Sequence, residues 1–334
     1  MNKATLGKKI LHSNYEIVIV ISIYIFVLAI SKYGDIVGFY IGNEPQVVVS
    51  DYNMIKELMK RDDTASRPSL VPFQDLRPGG VVQGVLDGEN SAAVPGIMFS
   101  CGKTWLDQRR FTVKVLRDFG FGKSSMEDTL LDEIDKLCEE LKRSIGVPIR
   151  LSTKLNISIL NALWSMITGE KLLLGDPKLQ MIVHKINVFL NSANPSSAIA
   201  SMFPNPNMFR WSIMKPLRHA LGFDLDSLKA GIDGVLELVY DQIERHKANF
   251  DEDNITDFVD TYLAEMEKRK ENQESSFNKN RGHFYLANVM VDLFIAGMET
   301  TASTLNWSFL LLLHHPEIRR NVQKEIDQVQ FCFT

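Results

Sequence analysis

One apolar segment near the carboxyl end of the sequence constrains the fold more than any other feature. Residues 284–313 keep helical spacing throughout, which corresponds to a helix of about 45 Å at 1.5 Å per residue. Pro316 then suits the first turn of a final helix. Nearly all the sequence from Trp105 onward has helical spacing, and 45% of the 334 residues are hydrophobic, enough for one large domain or two smaller ones. The sequence therefore predicts a mostly α protein with a long central helix.

A small β-hairpin is predicted before the helices. Apolar residues alternate over 37–41, residues 42–45 have the composition of a turn, and three valines follow at 47–49. Ser50 or Asp51 can cap the helix that comes next. The expected fold class is thus mostly α with a small β-hairpin.

Three segments have the composition of loops. Residues 67–96 are rich in proline and glycine, residues 191–216 combine proline and asparagine with aromatic side chains, and residues 271–282 are hydrophilic. Long loops in compact domains are usually functional or disordered, whereas the hydrophilic segment predicts a solvated loop. Apolar patterning continues on both sides of every loop, so the sequence indicates no second domain boundary.

Charge and cysteine content restrict the classes of function. The net charge is −4 and no basic block alternates with aromatic residues, which argues against a nucleic-acid partner. Cys101, Cys138 and Cys332 have no paired spacing, so neither a disulfide framework nor a zinc site is predicted. His314 and His315 are adjacent and would point away from one another on a helix, which makes a poor metal pair.

The amino-terminal segment carries a targeting signal. Lys8 and Lys9 precede an apolar run at residues 17–30, and Lys32 follows it. The run is short for a transmembrane helix, which needs roughly 20 apolar residues, and it is rich in isoleucine and valine. A membrane anchor is one hypothesis, and a buried strand or a misassembled exon is the other. The flanking lysines leave the orientation open.

The clearest chemical signal lies inside the long helix, at residues 296–301 (Ala-Gly-Met-Glu-Thr-Thr). Gly297 costs roughly 1 kcal/mol there relative to alanine, and an acid beside two hydroxyls in an apolar helix has a desolvation cost. The segment fits a ligand site, because glycine admits a flat ligand, a threonine hydroxyl can bond back to the carbonyl four residues earlier, and an acid–alcohol pair can relay protons. It equally fits a helix–helix crossing at small residues, with Glu299 reaching solvent.

A second candidate site contains Trp105 and Arg109, four residues apart on one helical face. An indole N–H and a guanidinium side by side can both donate to one anionic group. The alternative is a cation–π pair on a helix surface.

Taken together, the motifs resemble the cytochrome P-450 superfamily, specifically its animal microsomal haem-thiolate monooxygenases. Their order and spacing carry the resemblance, which covers about residues 32–329. The matching stretches are Lys-Tyr-Gly-Asp-Ile at 32–36, Gly-Ile-Met-Phe-Ser at 96–100, Gly-x-x-Trp at 102–105, Arg-Arg-Phe at 109–111, Asp-Phe-Val-Asp-Thr-Tyr-Leu at 257–263, residues 296–301 and His-Pro-Glu at 315–317.

The resemblance implies a role for each matched site residue. Trp105 and Arg109 would bond a haem propionate, and Ala296 and Gly297 would lie over the haem face.

The resemblance also implies proton delivery, a pocket and partners. Glu299 and Thr300 would be the acid–alcohol pair that delivers protons during oxygen activation, and Thr301 would support the helix. Residues 67–96 and 191–216 would line or gate a pocket for an apolar small-molecule substrate. An NADPH-dependent reductase would supply electrons. The protein would reside at the endoplasmic reticulum membrane, with its catalytic domain facing the cytosol.

The sequence departs from the family pattern in its last part. The Glu-x-x-Arg helix and the Phe-x-x-Gly-x-x-x-Cys-x-Gly ligand loop are absent, and Cys332 lacks the glycines of that loop, so no metal ligand is assigned. We expect an amino-terminal segment 1–31, a partial family domain 32–329 lacking the haem-thiolate loop, and a tail 330–334 outside the family pattern. Residues 85–95 look inserted. Without thiolate ligation the chain is expected to be inactive as it stands.

Two other hypotheses stay open. The chain could be a non-enzymatic helical protein that binds an apolar ligand or a partner helix. It could also be an unstable fragment from a truncated gene, an alternative splice product or a flawed gene model, with an exposed apolar surface that favours aggregation.

Overall fold

Both strands that the structure describes belong to the amino-terminal part of the chain, and most of the described helices follow them. The chain divides into two compact units, Met1–Ser66 with Ala198–Met214 and Arg67–Ser197 with Lys215–Thr334. The computed structural model describes residues 27–41, 44–65, 95–98, 100–121, 124–173, 175–192 and 225–330.

The predicted hairpin is present in the first unit. Strands β1 (Ile36–Ile41) and β2 (Glu44–Val49) pair antiparallel along their whole length. Successive side chains on a strand point to opposite faces, and accordingly Val37 is buried while Ile36 and Tyr40 are exposed.

Two residues of the predicted turn lie in the second strand. Glu44 and Pro45 belong to β2, where Pro45 lies opposite Tyr40. A proline is tolerated there because each strand of a two-stranded sheet has an edge that needs no N–H donor. After the hairpin, Asp51 caps α1 (Tyr52–Leu58), and its carboxylate accepts the Met54 N–H at 2.9 Å. A 3-10 turn, Asp62–Thr64, follows.

The second unit is helical in its described part. Its helices are α2 (Gly102–Asp118), α3 (Ser124–Arg143), α4 (Leu151–Thr168), α5 (Pro177–Ser192), α6 (Leu225–Asn249), α7 (Phe258–Lys268), α8 (Gly282–His314) and α9 (Pro316–Gln330). The long helix and the final helix starting at Pro316 are as the sequence predicts. Together with the hairpin they confirm the mostly α fold class.

The core forms where α4 crosses α8 and where α5 packs on α6. Trp164 of α4 is completely buried and stacks on Phe294 of α8, with ring centroids 5.2 Å apart. α4 ends at Gly169, which adopts the left-handed conformation (φ 67°) that closes many helices. α4 and α8 therefore form the buried centre of this unit.

The environment of α8 changes along its length. Its first half is buried among the other helices, as at Leu286 and Phe294. The second half is largely exposed although it is apolar, and the apolar stripe of α9 is exposed as well. The exposed apolar residues of the two helices are Leu305, Trp307, Phe309, Leu310, Leu311, Leu313, Ile318, Val322, Ile326 and Val329.

Residues 271–282 are not the uniformly solvated loop that their composition predicts. Ser275, Ser276, Phe277 and Asn278 are buried. Phe277 inserts its ring beside Phe111, with centroids 5.0 Å apart, and draws its polar neighbours inward with it. The ring of Phe277 and the buried hydrogen bond that Ser276 accepts from Gln108 hold this part of the segment inside the fold.

Several predicted features lie outside the described residues. One of them is the apolar run 17–30, of which the structure describes only residues 27–30, as part of a helical stretch at 27–33. Most of the loops 67–96 and 191–216 and residues 331–334 are others. Among the described helices, none combines the length and hydropathy that crossing a membrane requires.

Candidate functional site

The turn of α8 at residues 296–300 presents a hydroxyl that is fixed by the helix itself. Ala296 and Thr300 are exposed, and the Thr300 hydroxyl donates to the Ala296 carbonyl at 2.7 Å. This is the back-bond that the sequence predicts. Because the hydroxyl proton is held by the carbonyl, the oxygen lone pairs of Thr300 remain available to accept a hydrogen bond.

The same bond repeats toward the carboxyl end of α8. Thr304 donates to the Thr300 carbonyl and Ser308 to the Thr304 carbonyl, each at 2.8 Å. All three hydroxyls lie on one helical face, because residues four apart are neighbours on an α-helix. The exposed face of α8 therefore carries a row of anchored hydroxyls beside apolar side chains.

Glu299 is partly buried and is held by the next turn of the helix. Its Oε1 accepts the Ser303 hydroxyl at 2.9 Å. The acid and the alcohol of Thr300 are adjacent in sequence, so their side chains leave the helix about 100° apart. The two side chains make separate hydrogen bonds, Thr300 to the Ala296 carbonyl and Glu299 from the Ser303 hydroxyl.

Gly297 is explained by a helix crossing. A Cβ at this position would lie 2.8 Å from Cδ1 of Leu163 on α4, which is closer than carbon atoms normally approach. The missing side chain of Gly297 faces α4, so the crossing hypothesis holds for this residue. Ala296 is the exposed small residue of the turn. The cofactor-binding role implied for both positions stays a prediction.

Trp105 and Arg109 meet on α2, as their spacing predicts. The guanidinium carbon of Arg109 lies 5.7 Å from the centroid of the Trp105 ring, so the cation–π pair is present. Trp105 is partly buried and Arg109 is exposed. A cation–π contact is electrostatic and leaves the N–H groups of both partners able to donate to an anion.

Asp292 connects the two helices that carry these motifs. It lies one turn before Ala296 on α8, and its Oδ2 accepts the N–H groups of Ile97 and Met98 at 2.7 and 2.9 Å. Residues 95–98 lead into α2. Gly96 has φ +109°, and a Cβ there would lie 2.5 Å from Asp292 Oδ2, so the close approach requires glycine.

Asp292 and Gln108 were not identified as site residues from the sequence. Asp292 could have been found, because it is an acid between Val291 and Leu293 in an otherwise apolar helix. Gln108 is completely buried on α2 and is bonded to residues more than 150 positions away. No local pattern signals that burial.

A second polar cluster lies where α6 ends and α7 begins. His246 Nε2 lies 2.9 Å from Asp257 Oδ2, and His246 Nδ1 lies 2.8 Å from the Gln242 carbonyl oxygen. Burial alone would lower the pKa of His246, but the hydrogen bonds with Asp257 and Gln242 and the charges of Asp257 and Asp260 raise it to about 9. Asp257 also caps α7 through Oδ1, which accepts the Asp260 N–H at 3.0 Å. The cluster borders a polar cavity of about 390 Å³.

Known proteins that are similar to this chain belong to one family. The model of the cytochrome P450 family matches residues 24–330. Cytochrome P450 2D3 of Rattus norvegicus is 34% identical over 303 residues, which are 90% of this chain and 55% of that protein. Cytochrome P450 2B19 of Mus musculus is 32% identical over 307 residues (91% and 56%), and cytochrome P450 2L1 of Panulirus argus is 28% identical over 299 (89% and 56%). The chain spans a little over half the length of these relatives.

Proposed function

This chain belongs to the cytochrome P450 family, and we propose that its 334 residues build the oxygen-facing and substrate-facing wall of a haem monooxygenase site. The observation that carries the proposal is the exposed turn of α8 in which Thr300 is fixed to the Ala296 carbonyl beside Glu299. In this family, a bound haem supplies the iron centre at which oxygen is activated. The protein residues bind and orient the reactants and move protons.

The described residues fit a haem in two respects. A haem is flat and apolar over most of its surface. The face of α8 that carries the small, exposed side chain of Ala296 also carries the exposed indole of Trp307, three turns further along. A haem also bears two carboxylates. The exposed guanidinium of Arg109 and the indole N–H of Trp105 can donate to a carboxylate.

Proton delivery is assigned to Glu299 and Thr300. The Thr300 oxygen can accept a hydrogen bond from a water while its own proton is held by Ala296, and Glu299 lies one residue earlier to exchange protons with that water. Thr301, the neighbouring hydroxyl, leaves the helix about 100° away from Thr300.

The substrate class and the reductase partner are proposed from the family to which the chain belongs. We propose an apolar small molecule as substrate, because apolar side chains such as Leu305, Trp307 and Phe309 are exposed on the second half of α8. An NADPH-dependent reductase would supply the electrons. Both assignments are made for a protein of the relatives' full length, of which this chain spans a little over half.

The proposal is tested with a chimaera in which the remaining carboxyl-terminal part of the rat relative follows residue 330. Thr300→Val keeps the shape of the side chain and removes its hydroxyl. Haem and substrate binding should change little, but hydrogen peroxide should replace most of the oxygenated product per reducing equivalent. Proton transfer of this kind typically contributes about 10²–10⁴-fold to rate.

Thr301→Val is the matched control, with the same chemical change one position away. It should leave the ratio of product to peroxide close to that of the parent chimaera. Unchanged coupling in Thr300→Val, or a larger loss in Thr301→Val, would contradict the assignment of the hydroxyl.

We propose that the 334 residues by themselves lack monooxygenase activity. None of the three cysteines lies in the glycine-containing pattern of a haem-ligand loop, so the chain offers no matched thiolate. The chain, supplied with haem, reduced and exposed to carbon monoxide, should give no thiolate-type Soret band. The appearance of that band would overturn this part of the proposal.

We propose a membrane anchor on the basis of Lys8, Lys9 and the apolar run 17–30, and an endoplasmic reticulum location on the basis of the family. Deleting residues 1–31 should move at least part of the protein from the membrane fraction to the soluble fraction. Full retention of the shortened protein on membranes through carbonate extraction would contradict the anchor.

A second function is favoured by the exposed apolar side chains of α8 and α9, with Trp307 62% and Leu313 66% exposed. A non-enzymatic protein that binds an apolar ligand would use such a surface without haem. Recovery of the purified chain with stoichiometric lipid and no haem would support this alternative over the monooxygenase site.

A further inference from the structure

We propose that Gln108 is a positioning residue for haem carboxylates. Its hydrogen bonds to Tyr262 and Ser276 fix the rotation of α2, so that Trp105 and Arg109 present their N–H groups outward. The inference rests on the proposed function, because it concerns the orientation of the two residues assigned there to the propionates.

The side chain of Gln108 is completely buried and paired at both ends. The Tyr262 hydroxyl donates to Gln108 Oε1 at 2.9 Å, and Gln108 Nε2 donates to Ser276 Oγ at 2.8 Å. An amide left unpaired inside a protein would have a large desolvation cost. Both bonds therefore favour the observed position of α2 over one in which Gln108 is buried without partners.

The hydrogen bonds define one angular position of α2. Its buried residues, Thr104, Gln108, Thr112 and Val115, follow one helical face. Arg109 follows Gln108 and leaves the helix about 100° from it. Rotating the helix enough to redirect Arg109 would break both bonds of Gln108, whereas an apolar side chain at this position would impose no such direction.

Packing around the network supports the same orientation. Phe111 lies edge-on to Tyr262 and Phe277, with centroids 5.3 and 5.0 Å apart. Tyr262 belongs to α7, and both Phe277 and Ser276 belong to the buried part of the segment before α8. α2 is thus tied to two further parts of the fold on the face adjacent to its Trp105–Arg109 pair.

The test measures binding of ferric haem and of its dimethyl ester to the full chain. The ester lacks the free carboxylates, so the ratio of the two affinities isolates the contribution of the Trp105–Arg109 pair. The parent chain should prefer haem, and Gln108→Leu should reduce that preference about 10-fold, the scale of one charge-assisted hydrogen bond. Binding of the ester should not change. A general loss of stability would weaken both ligands equally.

Thr112→Val is the matched control, because Thr112 is buried on the same face and its hydroxyl has no hydrogen-bond partner among the described residues. It should leave the preference for haem unchanged. Tyr262→Phe removes one bond and keeps the ring, so it gives a second measurement if Gln108→Leu fails to fold. That variant should show a smaller loss of preference of the same kind.

Arg109→Ala separates this inference from the proposed function. If the parent chain does not bind haem, does not prefer it over the ester, or keeps its preference in Arg109→Ala, the carboxylate role of the pair is wrong and the inference falls with it. If Arg109→Ala abolishes the preference while Gln108→Leu and Tyr262→Phe retain it, the pair binds carboxylates and the positioning role of Gln108 is overturned.

Discussion

The carboxylate of Asp292 is buried in the first half of α8 and accepts two backbone N–H groups from the segment that leads into α2. Asp292→Ala would leave the N–H groups of Ile97 and Met98 without this acceptor, and an unpaired buried donor costs about 1–3 kcal/mol. We expect the free energy of unfolding to fall by about 2–4 kcal/mol, measured by urea denaturation. Amide exchange at Ile97 and Met98 should accelerate.

Two further variants test whether the loss of stability in Asp292→Ala comes from the lost hydrogen bonds. Asp292→Asn keeps an oxygen that can accept both N–H groups, so it should destabilise less than Asp292→Ala. Asp233→Asn changes an exposed acid on α6 and should stay within about 0.5 kcal/mol of the parent. If Asp292→Ala is no more destabilising than Asp233→Asn, the bond between the two segments does not matter to stability.

His246 makes the stability of the fold depend on pH. Its pKa is raised to about 9 from an ordinary 6.5, chiefly by Asp257 acting against the effect of burial. The folded protein therefore holds the proton more tightly, and the stabilisation is complete below pH 6.5 and is lost as the pH rises through about 9. His246→Gln should lower the free energy of unfolding by about 2 kcal/mol at pH 6, with the difference shrinking toward pH 10.

His283 is a control because its pKa is shifted in the opposite direction to that of His246. Burial, and then the positive charge of Lys247, lower its pKa below 6.5. Its protonation therefore opposes folding, and His283→Gln should become relatively more stabilising as the pH falls below 6.5.

A pH-independent difference between the parent and His246→Gln would show that the ion pair with Asp257 is not formed.

Single residues were predictable where the chemistry is local. The back-bond of Thr300 to Ala296 and the pairing of Trp105 with Arg109 both follow from helical spacing of four. The contact between Gly297 and Leu163 was not predictable, because Leu163 is more than 130 positions away in the chain. A glycine admits either a ligand or a helix, and the sequence alone does not distinguish the two.

At the scale of whole elements, the crossing of α5 and α6 depends on one glycine. A Cβ at Gly231 would lie 2.8 Å from the Phe189 backbone nitrogen and 3.0 Å from the Lys185 carbonyl oxygen. Backbone atoms inside a helix cannot move aside, so the helices would have to separate. We expect Gly231→Ala to lower the free energy of unfolding by about 2–3 kcal/mol, measured by urea denaturation.

Gly234 is the matched control on the same helix. A Cβ there would meet side-chain carbons of Lys185 at 2.7 Å, and that flexible side chain is able to move. Alanine is also favoured over glycine inside a helix by about 1 kcal/mol, so Gly234→Ala should be neutral or slightly stabilising. Equal effects of the two substitutions would contradict the tight backbone contact at Gly231.

Elements were predictable where one pattern dominated a segment. The long apolar segment gave α8 to within two residues at each end, and the proline at 316 marked the start of α9. The prediction that residues 271–282 are solvated was wrong for residues 275–278, because a hydrophilic composition does not by itself show exposure. Their burial results from Phe277, whose partners Phe111 and Tyr262 come from other elements.

For the molecule as a whole, the exposed apolar face of α8 and α9 is the feature that most affects association and solubility. Soluble monomers rarely expose contiguous apolar patches larger than a few hundred Å². The helical spacing of these side chains was visible in the sequence, but which half of α8 is covered depends on the packing of α4 and its neighbours. The structure shows that burial ends near the middle of α8, and the apolar side chains beyond that point form the exposed surface that the fragment hypothesis expects.

This face should control whether the chain stays monomeric. Trp307→Lys combined with Leu313→Lys replaces two of its most exposed side chains. We expect the double variant to bind less of an apolar fluorescent dye and to remain monomeric at concentrations where the parent chain self-associates, as measured by sedimentation.

The charge-matched control is Asn321→Lys with Gln323→Lys, which adds two lysines at exposed polar positions of α9. It should self-associate like the parent chain, because the apolar face is intact. A parent chain that melts cooperatively as a soluble monomer would count against the hypothesis of an unstable fragment. Equal dye binding by the parent and both double variants would mean that the exposed side chains of α8 do not form a continuous surface in solution.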